Sequence, residues 1–116
     1  MKNSIRTMLL TMMITAYGYA FSQKTNKTET IKIQTSAQCD MCKHTIEKAM
    51  AYEKGIKKST LDVPTSVLTV EYNPKKTTPE KIRKAVSDAG YDADDVPANP
   101  TAYEKLNPCC KKGAHK

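Results

Sequence analysis

The periodicity of apolar residues between positions 28 and 96 restricts the chain to a small fold that mixes strands and helices. The stretch TNKTETIKIQT alternates apolar and polar residues, which predicts a half-buried strand. From Cys42 the period becomes helical, and Ile46, Ala49 and Met50 share one face. IKKSTLDV and VLTVEY then predict two more strands, which form a hairpin across the turn PTS.

A second helix is predicted from the signals at its two ends. Thr78 is the expected N-cap, Pro79 fits the first helical position, and Gly90 is the expected C-terminal cap. The apolar residues between them form one stripe: Ile82, Ala85, Val86 and Ala89. A short last strand is predicted at YDA, residues 91–93. The order βαββαβ predicts an α+β, ferredoxin-like sandwich with two helices on one face of an antiparallel sheet.

Residues 1–22 are not predicted to belong to this fold. Lys2 and Arg6 form a short basic start, and the apolar run MLLTMMITAYGYAF follows. The run is too short to span a bilayer, which needs roughly 20 apolar residues. Small residues in GYA and AFS suit a signal peptidase. We therefore expect a cleaved secretory signal and export to the periplasm or out of the cell. An uncleaved anchor or a disordered start is the alternative.

The charge of the chain does not indicate a nucleic-acid partner. The formal net charge is +7, but the lysines are scattered and no aromatic residues alternate with them. No nucleic-acid-binding motif is present. We interpret the excess charge as a solvated basic surface, which would at most steer the protein toward an acidic partner.

The four cysteines form two local pairs, Cys39 with Cys42 and Cys109 with Cys110. An exported domain normally uses four cysteines for two disulfides that cross-link its fold. Here each bond would close a loop of very few residues and would stabilise the fold only weakly. The pattern therefore favours sulfur atoms that are placed for chemistry.

The sequence SAQCDMCKHTIEKAM puts the first pair where a loop leads into a helix. A cysteine at a helix N-terminus has a lowered pKa, and the thiolate is the form that binds metals. Cys42 is expected at or next to this terminus, and Cys39 can present its sulfur to the same point. Two soft thiolates favour a soft ion, first Cu(I), with Zn(II) or a related ion as alternatives. Two ligands also leave the ion open to an incoming thiolate, which suits transfer.

Residues 29–94 resemble the heavy-metal-associated domain family. Three segments carry the resemblance: CDMC before a helix, EYNPKKTTPEKIRKAV, and AGYD. This family includes small copper chaperones, periplasmic mercury-binding proteins and soluble domains of metal-pumping ATPases. The resemblance implies that Cys39 and Cys42 are the metal ligands and that Tyr91 lies beside their loop. It also implies Hg(II) as a further ion, and a metal-transporting membrane ATPase or another envelope metal protein as partner. A monomer or a metal-bridged dimer is expected.

The sequence departs from this family at two places. Ala37 stands where the family usually has a buried Met that anchors the loop, and Ser36 stands where Gly is common. The second departure is the tail, residues 97–116, which contains Cys109 and Cys110. The tail is long enough to fold back and supply a third or fourth thiolate, which would close the site for Zn(II) or tighten it for Cu(I). Alternatively, it is a mobile segment whose adjacent cysteines form a vicinal disulfide or a separate weak site.

Three other residues near the cysteine pairs are not predicted to be ligands. Met41, inside the motif, and His44, on the following helix, are expected to face solvent. His115 lies close to the terminus, where side chains are mostly disordered.

Two other functions use the same cysteines. A thiol–disulfide redox protein would cycle Cys39 and Cys42, although thioredoxin-like proteins usually have Gly-Pro between the two and an aromatic residue before them. A structural module with an ordinary disulfide would be indifferent to metal. No arrangement of nucleophile, base and orienting group is found, so we do not expect an enzyme.

Overall fold

The computed structural model describes residues 27–113, so the predicted signal at 1–22 and His115 lie outside the described residues. The strands are β1 (Glu29–Gln34), β2 (Ile56–Asp62) and β3 (Val67–Tyr72). The helices are α1 (Asp40–Ala51), α2 (Pro79–Asp88) and α3 (Pro100–Glu104), and a 3-10 turn covers Pro108–Cys110. Within residues 27–113, no helix is long and apolar enough to cross a membrane.

The sheet is antiparallel, with β3 between β1 and β2. Leu68 of β3 pairs with Ile33 on one side and with Leu61 on the other, and all three side chains are buried. The predicted β2–β3 hairpin is confirmed, and its turn contains Ser66 with φ of 61°. The ferredoxin-like arrangement predicted from the sequence is confirmed in its three strands and two main helices.

The core lies between the sheet and the two main helices. Helix α1 packs against β2 and against α2. The apolar stripes predicted for the helices point inward, and their fully buried members are Ile46, Met50, Ile82 and Val86. On β3, the alternating residues Leu68, Val70 and Tyr72 are buried as well. The same periodicity that identified the elements therefore identifies most of the core.

The short last strand predicted at residues 91–93 is wrong as a strand. Ala93 forms only isolated bridges, to Thr35 beyond the end of β1 and to Val96. Asp94 turns the chain with φ of 53°, and its carboxylate accepts a hydrogen bond from the Gln34 N–H at 2.9 Å. The Asp94 side chain thus replaces the backbone carbonyl that would accept from Gln34 in a regular sheet, and no strand forms at residues 91–93.

The signals at the ends of α2 are confirmed. The Thr78 side chain accepts a hydrogen bond from the Lys81 N–H, and Pro79 is the first residue of the helix. Gly90 follows the helix with φ of 104°, a conformation that L-amino acids with a side chain rarely adopt.

The tail packs along this end of the domain through contacts that involve no sulfur. The Ser87 hydroxyl donates to the Pro97 carbonyl at 2.7 Å, and the Asp92 carboxylate accepts from the Ala98 N–H at 2.8 Å. Farther along, Lys112 forms an ion pair with Asp92 at 2.6 Å. Leu106 packs against the core. The tail is therefore held on both sides of the 3-10 turn that carries its two cysteines.

Candidate metal centre

Cys39 is the residue immediately before α1, and Cys42 lies in the first turn of that helix. The backbone of Cys39 is extended, with φ of −151° and ψ of 173°, and the helix begins at Asp40. Cys42 is fully buried while Cys39 is half-buried. Their sulfur atoms are 3.3 Å apart. The predicted convergence of the two thiols at a helix N-terminus is therefore present in the fold.

Hydroxyl groups hold the loop that leads to Cys39. The Thr35 hydroxyl donates to the Ser66 carbonyl at 2.7 Å and accepts from the Ala37 N–H at 3.2 Å. The Ser36 hydroxyl accepts from the Asp92 N–H at 2.9 Å. Ala37 itself is buried. The loop is thus fixed by a hydrogen-bond network at the position where the family usually has a methionine anchor.

The tail brings its two cysteines onto this loop. The Cys39 sulfur lies 3.8 Å from that of Cys109 and 3.9 Å from that of Cys110. The sulfurs of Cys39, Cys42 and Cys110 all lie within 4.8 Å of one another. Cys110 is only 2% exposed. Of the two tail conformations that the sequence left open, the structure has the folded-back one.

The spacing of these sulfurs suits coordination of one ion better than a covalent bond. A disulfide needs about 2.0 Å between sulfurs, and the four measured separations among the thiols run from 3.3 to 3.9 Å. With metal–sulfur bonds of about 2.3 Å, sulfurs around a tetrahedral or trigonal ion are about 3.8 to 4.0 Å apart. Cys39, Cys42 and Cys110 could therefore hold a metal ion with small movements of their side chains.

The surroundings give the thiols different acidities. Burial acts to raise the pKa of Cys39, but hydrogen bonds from the Cys42 N–H and thiol and from the Cys109 thiol outweigh it and lower the pKa to about 6. Burial raises the pKa of Cys110, with a further contribution from its neighbour Cys42. Near neutral pH the site thus holds a thiolate at Cys39 and a protonated thiol at Cys110.

This difference predicts how alkylation depends on pH. Because the pKa of Cys39 is lowered to about 6, its thiolate fraction should rise through half near that pH, well below the midpoint of an ordinary thiol at about 8.5. The rate of iodoacetamide labelling at Cys39, followed by peptide mass spectrometry, should show this midpoint in the metal-free protein. In urea the midpoint should return to about 8.5. Equal midpoints in the two conditions would contradict the prediction.

Tyr91 closes the buried side of the cluster. Its ring is fully buried, and its hydroxyl has no hydrogen-bond partner among the nitrogen and oxygen atoms of the described residues. Burial raises its pKa, and the thiols of Cys110 and Cys42 contribute to the shift. The hydroxyl therefore stays protonated and is positioned to donate to a sulfur. The structure places Tyr91 beside the loop, as the family resemblance implied.

Met41 is exposed, as expected from the sequence, but it also touches the tail. Its side chain is 47% exposed. Its sulfur lies 3.7 Å from the Cys109 sulfur and accepts a hydrogen bond from the Asn107 amide at 2.8 Å. These contacts join residues 66 and 68 positions apart, and no local pattern indicates them. His44 is exposed, in agreement with its predicted position.

Comparison with known proteins identifies relatives of the domain. The model of the heavy-metal-associated domain matches residues 36–92. The copper chaperone CopZ of Staphylococcus saprophyticus is 31% identical over 65 residues, which cover 56% of this chain and 94% of that protein. Copper-transporting ATPase 1 of Rattus norvegicus is 36% identical over 55 residues, which cover 47% of this chain. The chain spans only 4% of the length of that ATPase.

Solved structures show the same architecture. Oxidized MerP from Ralstonia metallidurans CH34 superposes with a TM-score of 0.56 and 29% identity, over 59% of this chain and 96% of that one. A CopZ metallochaperone superposes with a TM-score of 0.54 over 56% of this chain and 98% of that one. At 21% identity, the second likeness concerns the fold alone. The tail cysteines lie beyond the segment that the family model matches.

Proposed function

The chain belongs to the heavy-metal-associated domain family, and on this premise we propose that it is an exported protein that binds a soft metal ion, preferably Cu(I), and carries it to another protein. The observation that carries the proposal is the convergence of Cys39, Cys42 and Cys110 at the start of α1, with their sulfurs within 4.8 Å of one another. Cys39 and Cys42 are the principal ligands, and Cys110 is the third.

The chemistry of the donors supports the preference for Cu(I). Thiolates are soft ligands, and they select Cu(I), Zn(II) and related ions over hard cations. Three sulfurs suit Cu(I), whereas structural zinc is almost always bound by four ligands. Zn(II) and Hg(II) are the alternative ions. The similarity to a protein named as a copper chaperone points in the same direction.

The exposure of Cys39 supports a role in transfer. Cys42 and Cys110 are buried, while the half-buried Cys39 lies at the surface side of the three-sulfur site. An acceptor thiolate could reach the ion there and displace one ligand at a time. Relatives include copper-transporting ATPases, so a metal-transporting membrane ATPase is the proposed partner, with another envelope metal protein as the alternative. We propose a monomer as the apo form, with a metal-bridged dimer through the accessible Cys39 as the alternative.

Export is proposed from the sequence of residues 1–22 alone. If the segment is a cleaved signal, the protein recovered from the periplasm or the medium should have the mass of residues 23–116. Recovery of the full-length mass, or retention in the cytoplasm, would overturn this part of the proposal.

A thiol–disulfide redox function is the second candidate. It is favoured by the 3.3 Å separation of the Cys39 and Cys42 sulfurs and by the lowered pKa of Cys39, about 6. In such a reaction Cys39 and Cys42 form a disulfide, and their two electrons and two protons pass to a substrate disulfide, which is reduced to two thiols. Turnover in an insulin-reduction assay would favour this candidate over metal transfer.

The decisive experiment is an anaerobic titration of the reduced protein with Cu(I), and separately with Zn(II), against a competing chelator. We expect tight binding of Cu(I) that is lost in Cys39→Ser. His44→Ala is the matched control: it changes a potential ligand on the same helix, but the side chain is exposed and binding should not change. Preference for Zn(II) would point to a closed site with four ligands. Failure to compete for either ion would overturn the proposal and leave the redox candidate.

A further inference from the structure

Two sulfur atoms on the outer side of the cluster are not used by the proposed three-sulfur site. The Cys109 sulfur and the Met41 thioether lie 3.7 Å apart. Cys109 is half-buried and Met41 is 47% exposed, so this side of the cluster can be reached from solvent. The Cys109 sulfur is also 3.8 Å from that of Cys39, which connects the outer pair to the site below.

The position of the Met41 sulfur is fixed by the tail. An exposed methionine on a first helical turn would ordinarily sample several rotamers. Here the Asn107 amide donates to the thioether at 2.8 Å, and Asn107 immediately precedes the 3-10 turn that carries Cys109. On the other side of that turn, the backbone N–H of Lys112 donates to the Tyr103 hydroxyl at 3.0 Å and so ties the two flanks of the turn together. The two sulfurs are therefore held together by the fold of the tail.

We propose that Cys109 and Met41 form a second, outer binding position for a monovalent soft ion such as Cu(I) or Ag(I), with Cys39 as the sulfur common to both positions. The proposal rests on the inner site of Cys39, Cys42 and Cys110 and extends its capacity from one ion to two. A thioether is a soft, neutral ligand that suits Cu(I) but not hard cations. Sulfur separations of 3.7 and 3.8 Å match the roughly 3.8 to 4.0 Å expected around one ion.

Binding at the outer position requires only the loss of a proton. The Cys109 thiol releases its proton to solvent as the ion binds, and the thioether changes no charge state. No electron is transferred. An ion can then move inward by ligand exchange, because Cys39 lies 3.8 Å from the outer thiol and 3.3 Å from the inner one. The outer position thus takes an ion from solvent or from a donor and delivers it to the buried site.

The test is a titration of the reduced full chain with Ag(I), which does not change oxidation state, followed by native mass spectrometry. We expect two ions per chain, and one ion in Met41→Leu and in Cys109→Ser. Met41→Leu keeps an exposed apolar side chain of similar volume, so folding should be unaffected. Cys110→Ser is the matched control at the adjacent position: it should weaken the first ion and leave the outer position able to bind.

A second readout locates the outer ion independently of stoichiometry. With methionine labelled at its methyl group, the NMR signal of Met41, identified by its loss in Met41→Leu, should shift as the second ion binds. The signal of the buried Met50 is the internal control and should stay in place. One ion per wild-type chain, or two ions with an unshifted Met41 signal, would overturn the outer position while leaving the inner site intact. No binding at all would instead overturn the proposed function.

Discussion

Replacement of Gly90 by alanine is expected to lower the free energy of unfolding by about 2–4 kcal/mol, from strain and crowding together. Gly90 has φ of 104°, where a side chain is strained. A Cβ atom there would lie 3.1 Å from Leu106 Cγ and 3.1 Å from the Ala102 carbonyl oxygen. Because both contacts belong to the tail, we expect relief of the clash to shift the tail relative to the domain.

The prediction has a matched control at the other end of the tail. Gly113 also has a positive φ, of 82°, but it is exposed. Gly113→Ala should therefore lose only the free energy that comes from backbone strain, without the crowding. Urea denaturation of both variants measures the two losses, and a chelator competition measures metal affinity. We expect weaker metal binding only in Gly90→Ala, since only that variant displaces Cys110. Equal losses in the two variants would show that the packing of the tail on Gly90 contributes nothing.

Replacement of Ile46 by alanine is expected to cost about 2–5 kcal/mol, the range for large aliphatic side chains removed from a packed core. Ile46 is fully buried and lies one helical turn after Cys42, on the stripe that holds α1 against the sheet. A small domain has only about 5–15 kcal/mol of stability. A substantial part of the Ile46→Ala protein should therefore unfold at moderate temperature.

Metal bound at the proposed site should restore much of this stability. An ion that binds only the folded state at 1,000 times its dissociation constant stabilises it by about 4 kcal/mol. Thermal unfolding of Ile46→Ala with and without Ag(I) measures this effect, and Lys48→Ala, exposed on the same helix, is the control for the substitution itself. We expect little loss in the control. A loss in Ile46→Ala as small as that in Lys48→Ala would contradict the assignment of Ile46 to the core.

The fold could be predicted from the sequence because its signals are local. Alternation in the strands, the apolar stripe of α2 and the Thr78 cap each arise from residues within a few positions of one another. The same holds for the placement of Cys39 and Cys42 at the start of α1. Each of these features depends on backbone geometry that a short segment largely determines by itself.

The features that could not be predicted depend on contacts between distant segments. The strand expected at residues 91–93 is absent because the Gln34 N–H donates to the Asp94 side chain instead of to a backbone carbonyl. The path of the tail depends on the packing of Leu106, on the hydrogen bond that the Ser87 hydroxyl donates to Pro97 and on the one that the Asp92 carboxylate accepts from Ala98. The partners in these two hydrogen bonds lie 6 and 10 positions apart, and neither spacing corresponds to the period of a helix or a strand, so the sequence pattern does not indicate them. The pairing of Met41 with Asn107 is a further result of that path.

At the proposed site, metal affinity would depend on the docking of the tail as well as on the sulfur atoms. In the proposed site, Cys110 would reach the ion from a tail that is held by the ion pair of Lys112 with Asp92 and by the hydrogen bond of the Ser87 hydroxyl to the Pro97 carbonyl. By thermodynamic reciprocity, the factor by which docking tightens the ion equals the factor by which the ion tightens docking. A partner that competes for the surface of α2 under the tail would therefore loosen the ion at a distance, without touching a sulfur atom. Release of the metal ion and binding of the partner protein would then be coupled through the docking of the tail.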